Sequence, residues 1–275
     1  MKDFQNQKNL IFKDDWECLI VLDACRYDYF ESVYQDYLPK GSLQKVLSEG
    51  SSTGEWLRNT FQDKFYEDIV YVSSNAFVNS KGANLAGFDG RKHFFKVIDV
   101  WDEEWDDEMK TVPPERVRRT ALMTKAKFPE KRIIAHFMQP HYPYLSIGPV
   151  GGGIGSTHAA RQRGVLMKIR RKVGRLIKRT MGREIYKKLK KFGSGGRDVG
   201  KIGKVVRERG ESGLRRAYMK NLVLVLREAR KIVDRYPEKS IITADHGEML
   251  GEDGYGHPSN SRSSVLRKVP WWEPD

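Results

Sequence analysis

The chain has 275 residues, 39% of them hydrophobic, enough for one substantial core and not for two, so a single domain over 1–275 carrying a decoration is expected. Its longest apolar runs, such as 18–22 and 222–226, fall far short of the roughly 20 residues that span a membrane. Residues 1–8 hold no apolar stretch resembling a signal peptide, so the expected location is cytoplasmic.

Two cysteines, Cys18 and Cys25, exclude a disulfide framework and match no zinc-knuckle or redox spacing. The net charge of +14 is concentrated: residues 161–220 hold 22 Lys and Arg against 4 Asp and Glu, and the rest of the chain 28 against 32. One basic segment sits in an otherwise ordinary, slightly acidic domain.

Residues 17–22 read as a buried strand ending at Asp23. A carboxylate directly after such a strand is costly near a core unless a cation or donors compensate it. Cys25 reads as a small buried filler or as a reactive thiol near the site. Arg26 and Asp28 follow on the same turn, where they pair with each other or Arg26 faces a substrate oxyanion. Aromatic and apolar residues at helical spacing then fill 27–37.

Glu49-Gly50-Ser51-Ser52-Thr53-Gly54-Glu55 offers three hydroxyls just before a helix expected over 55–61. Free N–H groups at a helix start favour an anion, and Ser52 with Glu55 also fits a capping box. A strand is expected at 69–72, an acidic solvated loop at 99–108, a helix at Pro114–Lys127 and a strand at Arg132–Phe137. The segment His136-Phe137-Met138-Gln139-Pro140-His141-Tyr142-Pro143-Tyr144 carries two imidazoles five residues apart. His136 lies within the strand pattern and reads as a core residue; His141 reads as a donor to a substrate anion or an acid to a leaving group. His158 has no comparable setting.

The glycine-rich stretch at 148–155 lacks the Gly-Lys-Ser/Thr ending of a phosphate-binding loop and reads as a hinge. From 164 to 192, Leu166, Ile169, Val173, Ile177, Met181, Ile185 and Leu189 recur at helical spacing among Lys and Arg. This basic amphipathic helix belongs to a Gly-flanked insertion at 151–216. It either packs its apolar stripe on the domain, docks on an anionic membrane at the inner face, or, less favoured for want of aromatics, binds nucleic acid. A helix is expected over 218–236 and a strand over 240–243.

After that strand come Asp245 and His246, a carboxylate and an imidazole that can hold a divalent cation together, with Gly247 permitting a tight turn and Gly256-His257 nine residues later. Strands alternating with helices make this an α/β fold: a mostly parallel sheet with helices on both faces and ligands beyond the carboxyl ends of the strands.

Taken together, Asp23-Ala24-Cys25-Arg26-Tyr27-Asp28, the Pro140-His141-Tyr142-Pro143-Tyr144 loop, Asp245-His246-Gly247-Glu248 and the closing Val269-Pro270-Trp271-Trp272 resemble the alkaline phosphatase superfamily, and within it the sulfatase-like proteins. The resemblance covers 17–61, 132–144 and 217–272 and implies an alkaline-phosphatase-like fold. It implies one divalent ion (Mn, Zn, Mg or Ca) on Asp23, Asp245 and His246, and Thr53 as nucleophile with Ser52 or Ser51 as alternatives. From their own settings, His257, His141 and Arg26 are expected at the substrate or at a second metal.

No Cys-x-Pro-x-Arg sequence occurs, so the formylglycine of typical sulfatases cannot form and phosphate esters are expected over sulfate esters. Two-metal members supply Asp-x-x-x-His, whereas here Gln139 lies among the residues before His141, so one metal is expected. The resulting expectation is a metal-dependent hydrolase of an anionic, lipid- or glycan-linked phosphate ester. The alternatives are a phosphotransferase of the same superfamily, or a non-catalytic membrane- or polyanion-binding protein that keeps the fold. The chain's end soon after Trp272 suggests no further C-terminal subdomain and an open pocket.

Overall fold

The computed structural model describes residues 4–13, 15–148, 195–237 and 239–275. The amphipathic helix expected at 164–192 and all but the first residue of the glycine-rich hinge lie outside the described residues. The rest of the insertion, from 195, is helical.

In chain order the strands are β1 (Cys18–Leu22), β2 (Gly41–Leu47), β3 (Tyr66–Ser73), β4 (Phe94–Asp99), β5 (Arg132–Phe137), β6 (Ser240–Ala244), the two-residue strands β7 (Met249–Leu250) and β8 (Tyr255–Gly256), and β9 (Lys268–Pro274). Seven form one sheet in the order β2-β9-β6-β1-β5-β3-β4. The five from β6 to β4 are parallel, and β9 runs antiparallel to both β6 and β2. The helices are α1 (Gln7–Lys13), α2 (Tyr27–Glu31), α3 (Tyr34–Tyr37), α4 (Thr53–Phe61), α5 (Val100–Glu103), α6 (Pro114–Lys127), α7 (Gly195–Val233) and α8 (Ser264–Arg267).

Every residue of β1 and β6 is buried, the signature of parallel strands covered on both faces. One cover is α6 with α7, which pack on each other and on the central strands. Another is α4 with α1, which bring Trp56, Phe61 and Phe12 against Tyr66, Phe94 and His136. The α/β architecture read from the alternation of patterns is the observed one. A second apolar cluster joins Tyr142 and Tyr144 to Ile202, Val205, Leu214 and Tyr218 of α7 and to Leu250.

Several expectations change in detail. The helix at 27–37 is two short helices, α2 and α3. The acidic run at 99–108 is not a plain solvated loop: Asp99 ends β4, α5 follows, and Val100 and Trp101 are buried. The helix expected from 218 begins far earlier, at Gly195, and is broken at Gly210, whose φ of 68° and ψ of 173° are open to glycine alone.

Candidate metal centre

Register explains how distant residues meet. Leu22 of β1 sits level with Phe137 of β5 and Ala244 of β6, so Asp23 and Asp245 leave adjacent strands at the same edge. His136 pairs in register with Val21 and with Ser73 of β3, one step below that edge. The hydroxyl of Thr53 arrives from the first residue of α4.

These groups converge. His246 Nε2 lies 3.3 Å from Thr53 Oγ1, 3.4 Å from Asp245 Oδ2 and 3.7 Å from Asp23 Oδ1. His246 Nδ1 donates to the Gly247 carbonyl at 2.8 Å, which fixes the tautomer and leaves Nε2 as a bare lone pair aimed at the carboxylates. Burial, then the neighbouring His257, pushes the His246 pKa well down, so the ring is neutral and fit to ligate.

Asp245 Oδ1 accepts from the N–H groups of Ala24 at 3.0 Å and His246 at 2.9 Å. Asn75 donates to Asp23 Oδ2 at 2.9 Å. Burial, reinforced by the charge of Asp245, pushes the Asp23 pKa well up, against His257 and the Asn75 hydrogen bond.

His136 closes the floor. Its Nδ1 pairs with the Tyr71 hydroxyl at 2.7 Å and its Nε2 stands 3.8 Å from Asp245 Oδ2. Burial pushes its pKa down to about 4, against the pull of Asp245.

A divalent cation fits this donor set. Asp245 Oδ2 and His136 Nε2 are buried without a hydrogen-bond partner, and such an orphaned group costs about 1–3 kcal/mol. Asp23, His136 and Asp245 can offer ligand atoms within 4.8 Å of one another. His246 Nε2, 3.4 and 3.7 Å from the same two carboxylates, is a further donor beside His136, and two carboxylates with imidazole nitrogen match a zinc- or manganese-like ion.

A second trio stands beside the first. His257 Nδ1 pairs with Glu248 Oε1 at 2.9 Å, and His141 Nε2 lies 3.9 Å from Glu248 Oε2, itself without a partner. Burial opposes the charge on Glu248, but His257, then His141 and His246, hold its pKa below the usual value. Burial likewise opposes the charge on His257, yet Glu248, Asp23 and Asp245 push its pKa up to about 9. Next to His246, with ring centroids 4.4 Å apart, the trio presents either a cationic face to an anion or ligands for a second ion.

The remaining candidates are placed elsewhere. The Arg26 guanidinium is committed to Asp28 at 2.9 and 2.6 Å and to Glu252 at 2.7 Å; of the two readings open for it, the ion pair is the observed one. Ser51 Oγ is tied to Glu55, Pro258 and Ser261, and Ser52 Oγ meets Ser259 Oγ at 2.9 Å. Glu55 therefore reaches back to Ser51, so the capping box expected of Ser52 is not made. Of these three hydroxyls, Thr53 alone reaches His246. Cys25 is buried and its thiol pKa is pushed well up by burial and then by Asp28 and Asp245, which keeps it a filler and not a thiolate. Gly247 serves close approach: a Cβ there would sit 2.1 Å from the Val265 carbonyl oxygen.

No family model matches the sequence, and no curated protein matches it. Solved structures do match by shape. A putative sulfatase from Bacteroides thetaiotaomicron superposes with a TM-score of 0.51 at 12% identity, covering 95% of this chain and 65% of its own. BT4656, in complex with its substrate D-glucosamine-2-N,6-O-disulfate, gives 0.51 at 10% identity over 94% and 71%. The C-terminal periplasmic domain of EcEptC from Escherichia coli, in complex with Zn, gives 0.51 at 11% identity over 98% and 74%. The chain shares its fold with these three structures. At these identities the likeness to sulfatase-like proteins is one of fold, and the chain spans about two thirds to three quarters of each neighbour.

The same comparison corrects the expected location. A cytoplasmic placement, with attachment at the inner membrane face, rested on a start without an apolar stretch, yet the sulfatase-like fold of EcEptC is a periplasmic domain. Among the described residues no helix is long and apolar enough to cross a membrane.

Sequence reasoning read His136 as a core residue, quoted Glu248 without giving it a role and did not single out Asn75. Asn75 carried a readable signal, a polar side chain two residues past a buried strand. His136 carried none, because a strand histidine in register with Ser73 looks like any core residue.

Proposed function

We propose that the chain is a metal-dependent phosphoester-transfer enzyme with Thr53 as nucleophile and Asp23, Asp245 and His246 as metal ligands. The observation that carries it is the Thr53 hydroxyl at a helix start, 3.3 Å from His246 Nε2 and turned to the same focus as two buried carboxylates. A cation bound there lowers the pKa of the hydroxyl and neutralises charge on a phosphoryl oxygen.

Thr53 Oγ1 attacks phosphorus, the ester alcohol leaves, and a phosphothreonine remains. His257, protonated through Glu248, donates to a phosphoryl oxygen, and His141 flanks the leaving side; Arg26, spent on Asp28 and Glu252, has no part. Water then restores the hydroxyl, or an acceptor alcohol takes the phosphoryl group, which would make the protein a transferase. The anionic substrate of BT4656 is in keeping with an anionic ester here, and the absence of Cys-x-Pro-x-Arg favours phosphate over sulfate.

The test is turnover of phosphate mono- and diesters and a sulfate ester with manganese or zinc, with and without added alcohol. Phosphate-ester turnover in the wild type that disappears in Thr53→Ala and Asp245→Ala is expected. Turnover retained in either variant would overturn the reading. No bound metal and no turnover would leave a non-catalytic protein on this fold.

A further inference from the structure

Two loops that do not belong to one element must stay in register for this site to exist, and one helix touches both. We infer that α7 is a positioning element, in which Asn221 and Tyr218 lock the loop carrying His141 and the turn after Asp23 into one unit. The kinetic and metal-binding arms of its test rest on the reading of the site given above; the spectroscopic arm does not.

The His141 loop cannot hold itself. Pro140 and Pro143 lack N–H groups, so it cannot pair as a strand, and its carbonyls need donors from outside. Asn221 supplies them from full burial: its two Nδ2 hydrogens are shared among the carbonyls of Pro140, His141 and Pro143 at 3.4, 3.2 and 3.0 Å, and its Oδ1 accepts from Leu145 N at 2.8 Å. Within the loop so held, His141 Nδ1 donates to Tyr142 O at 2.6 Å, which turns Nε2 toward Glu248. His141 N donates to the Asp23 carbonyl at 3.2 Å, joining the loop to the first turn.

Tyr218 holds that turn. Its hydroxyl donates to Ala24 O at 2.7 Å and accepts from Arg26 N at 2.9 Å. Ala24 has φ of 61°, a conformation that disfavours a residue with a Cβ and persists only when its surroundings impose it. The imposed turn aims Ala24 N at Asp245 Oδ1, so the hydroxyl supports Asp245 through one residue. Tyr218 and Asn221 are three residues apart, neighbours on one helix face.

The experiment uses the full chain. Asn221→Ala is expected to lower kcat/KM by about 10- to 100-fold, as loss of a supporting partner does, with zinc affinity retained. In a His141→Ala background the same change should cost nothing further, because it acts through His141; an additive loss would mean general structural support and overturn the inference.

Independently of turnover, the His141 imidazole N–H resonance, held by Tyr142 O, should shift or broaden in Asn221→Ala while those of His246 and His257 stay; an unmoved His141 signal would overturn it. Tyr218→Phe keeps the ring in the second apolar cluster and carries the test should Asn221→Ala fail to fold. It should weaken zinc binding about 10- to 100-fold, and unchanged affinity would overturn the role of Tyr218. Absence of wild-type turnover would remove the proposed function and leave the spectroscopic result to decide positioning.

Discussion

At the scale of residues, Asp23 and Asp245 lie buried side by side with three N–H donors serving them, and a metal-free fold bears the cost of either their like charge or the protonation that burial forces on Asp23. Asp245→Asn should therefore raise the unfolding midpoint of the chelator-treated protein by about 2–4 °C, since an amide can donate where Oδ2 now has no partner. The same variant should lose the further rise that added zinc gives the wild type. A lower midpoint without metal would show that the carboxylate is there for stability. Thr53→Ala is expected to abolish turnover, a loss of roughly 10⁴-fold or more, while zinc binding, measured by calorimetry, persists through the two carboxylates and His246.

At the scale of elements, the joint between β6 and α8 depends on contact at backbone distance. Gly247 N donates to Leu266 O at 2.9 Å while the Val265 carbonyl fills the place of a Cβ. Gly247→Ala should cost about 1–3 kcal/mol or more in denaturant unfolding; a neutral result would mean that α8 slides freely.

The entry to α4 depends on Glu55, whose pKa is held down, against burial, by hydrogen bonds from Ser51 and Asn260 and by the nearby Arg267. Its folded value lies below its unfolded one. The stability it adds is complete above the unfolded value and is lost as pH falls through the folded one. Glu55→Gln should thus be less stable than wild type at neutral pH, with the difference closing in acid.

Elements of this kind were unevenly legible in the sequence. Strands β1, β5 and β6 are short apolar runs and announce themselves. Strands β2, β4 and β9 do not: β2 and β4 are sheet-edge strands of mixed burial with no continuous apolar run, and β9 carries Pro270 and Pro274, which argue against a strand. Pro270 is tolerated because only Trp271 and Trp272 pair with β6. Because β1 and β6 announce themselves, the proposed ligands just past them, Asp23, Asp245 and His246, are legible as candidates. Glu248 and Asn221 could not, since their roles come from contacts between elements far apart in the chain.

At the scale of the whole molecule, β1 and β6 carry the candidate ligands to one edge of the sheet, and the net charge of +14 comes from residues 161–220, the rest of the chain being slightly acidic. A basic field raises the local concentration of anionic esters and is screened by salt over about 10 Å at 0.1 M. KM for a phosphate ester should rise between low and high ionic strength with kcat little changed; a salt-independent KM would separate the basic segment from substrate capture.

The most direct measurement is zinc binding by calorimetry to the wild type and Asp245→Asn. Tight, stoichiometric binding to the wild type that is lost in Asp245→Asn is the expected result. Binding that survives Asp245→Asn would contradict a metal centre built on Asp23, Asp245 and His246.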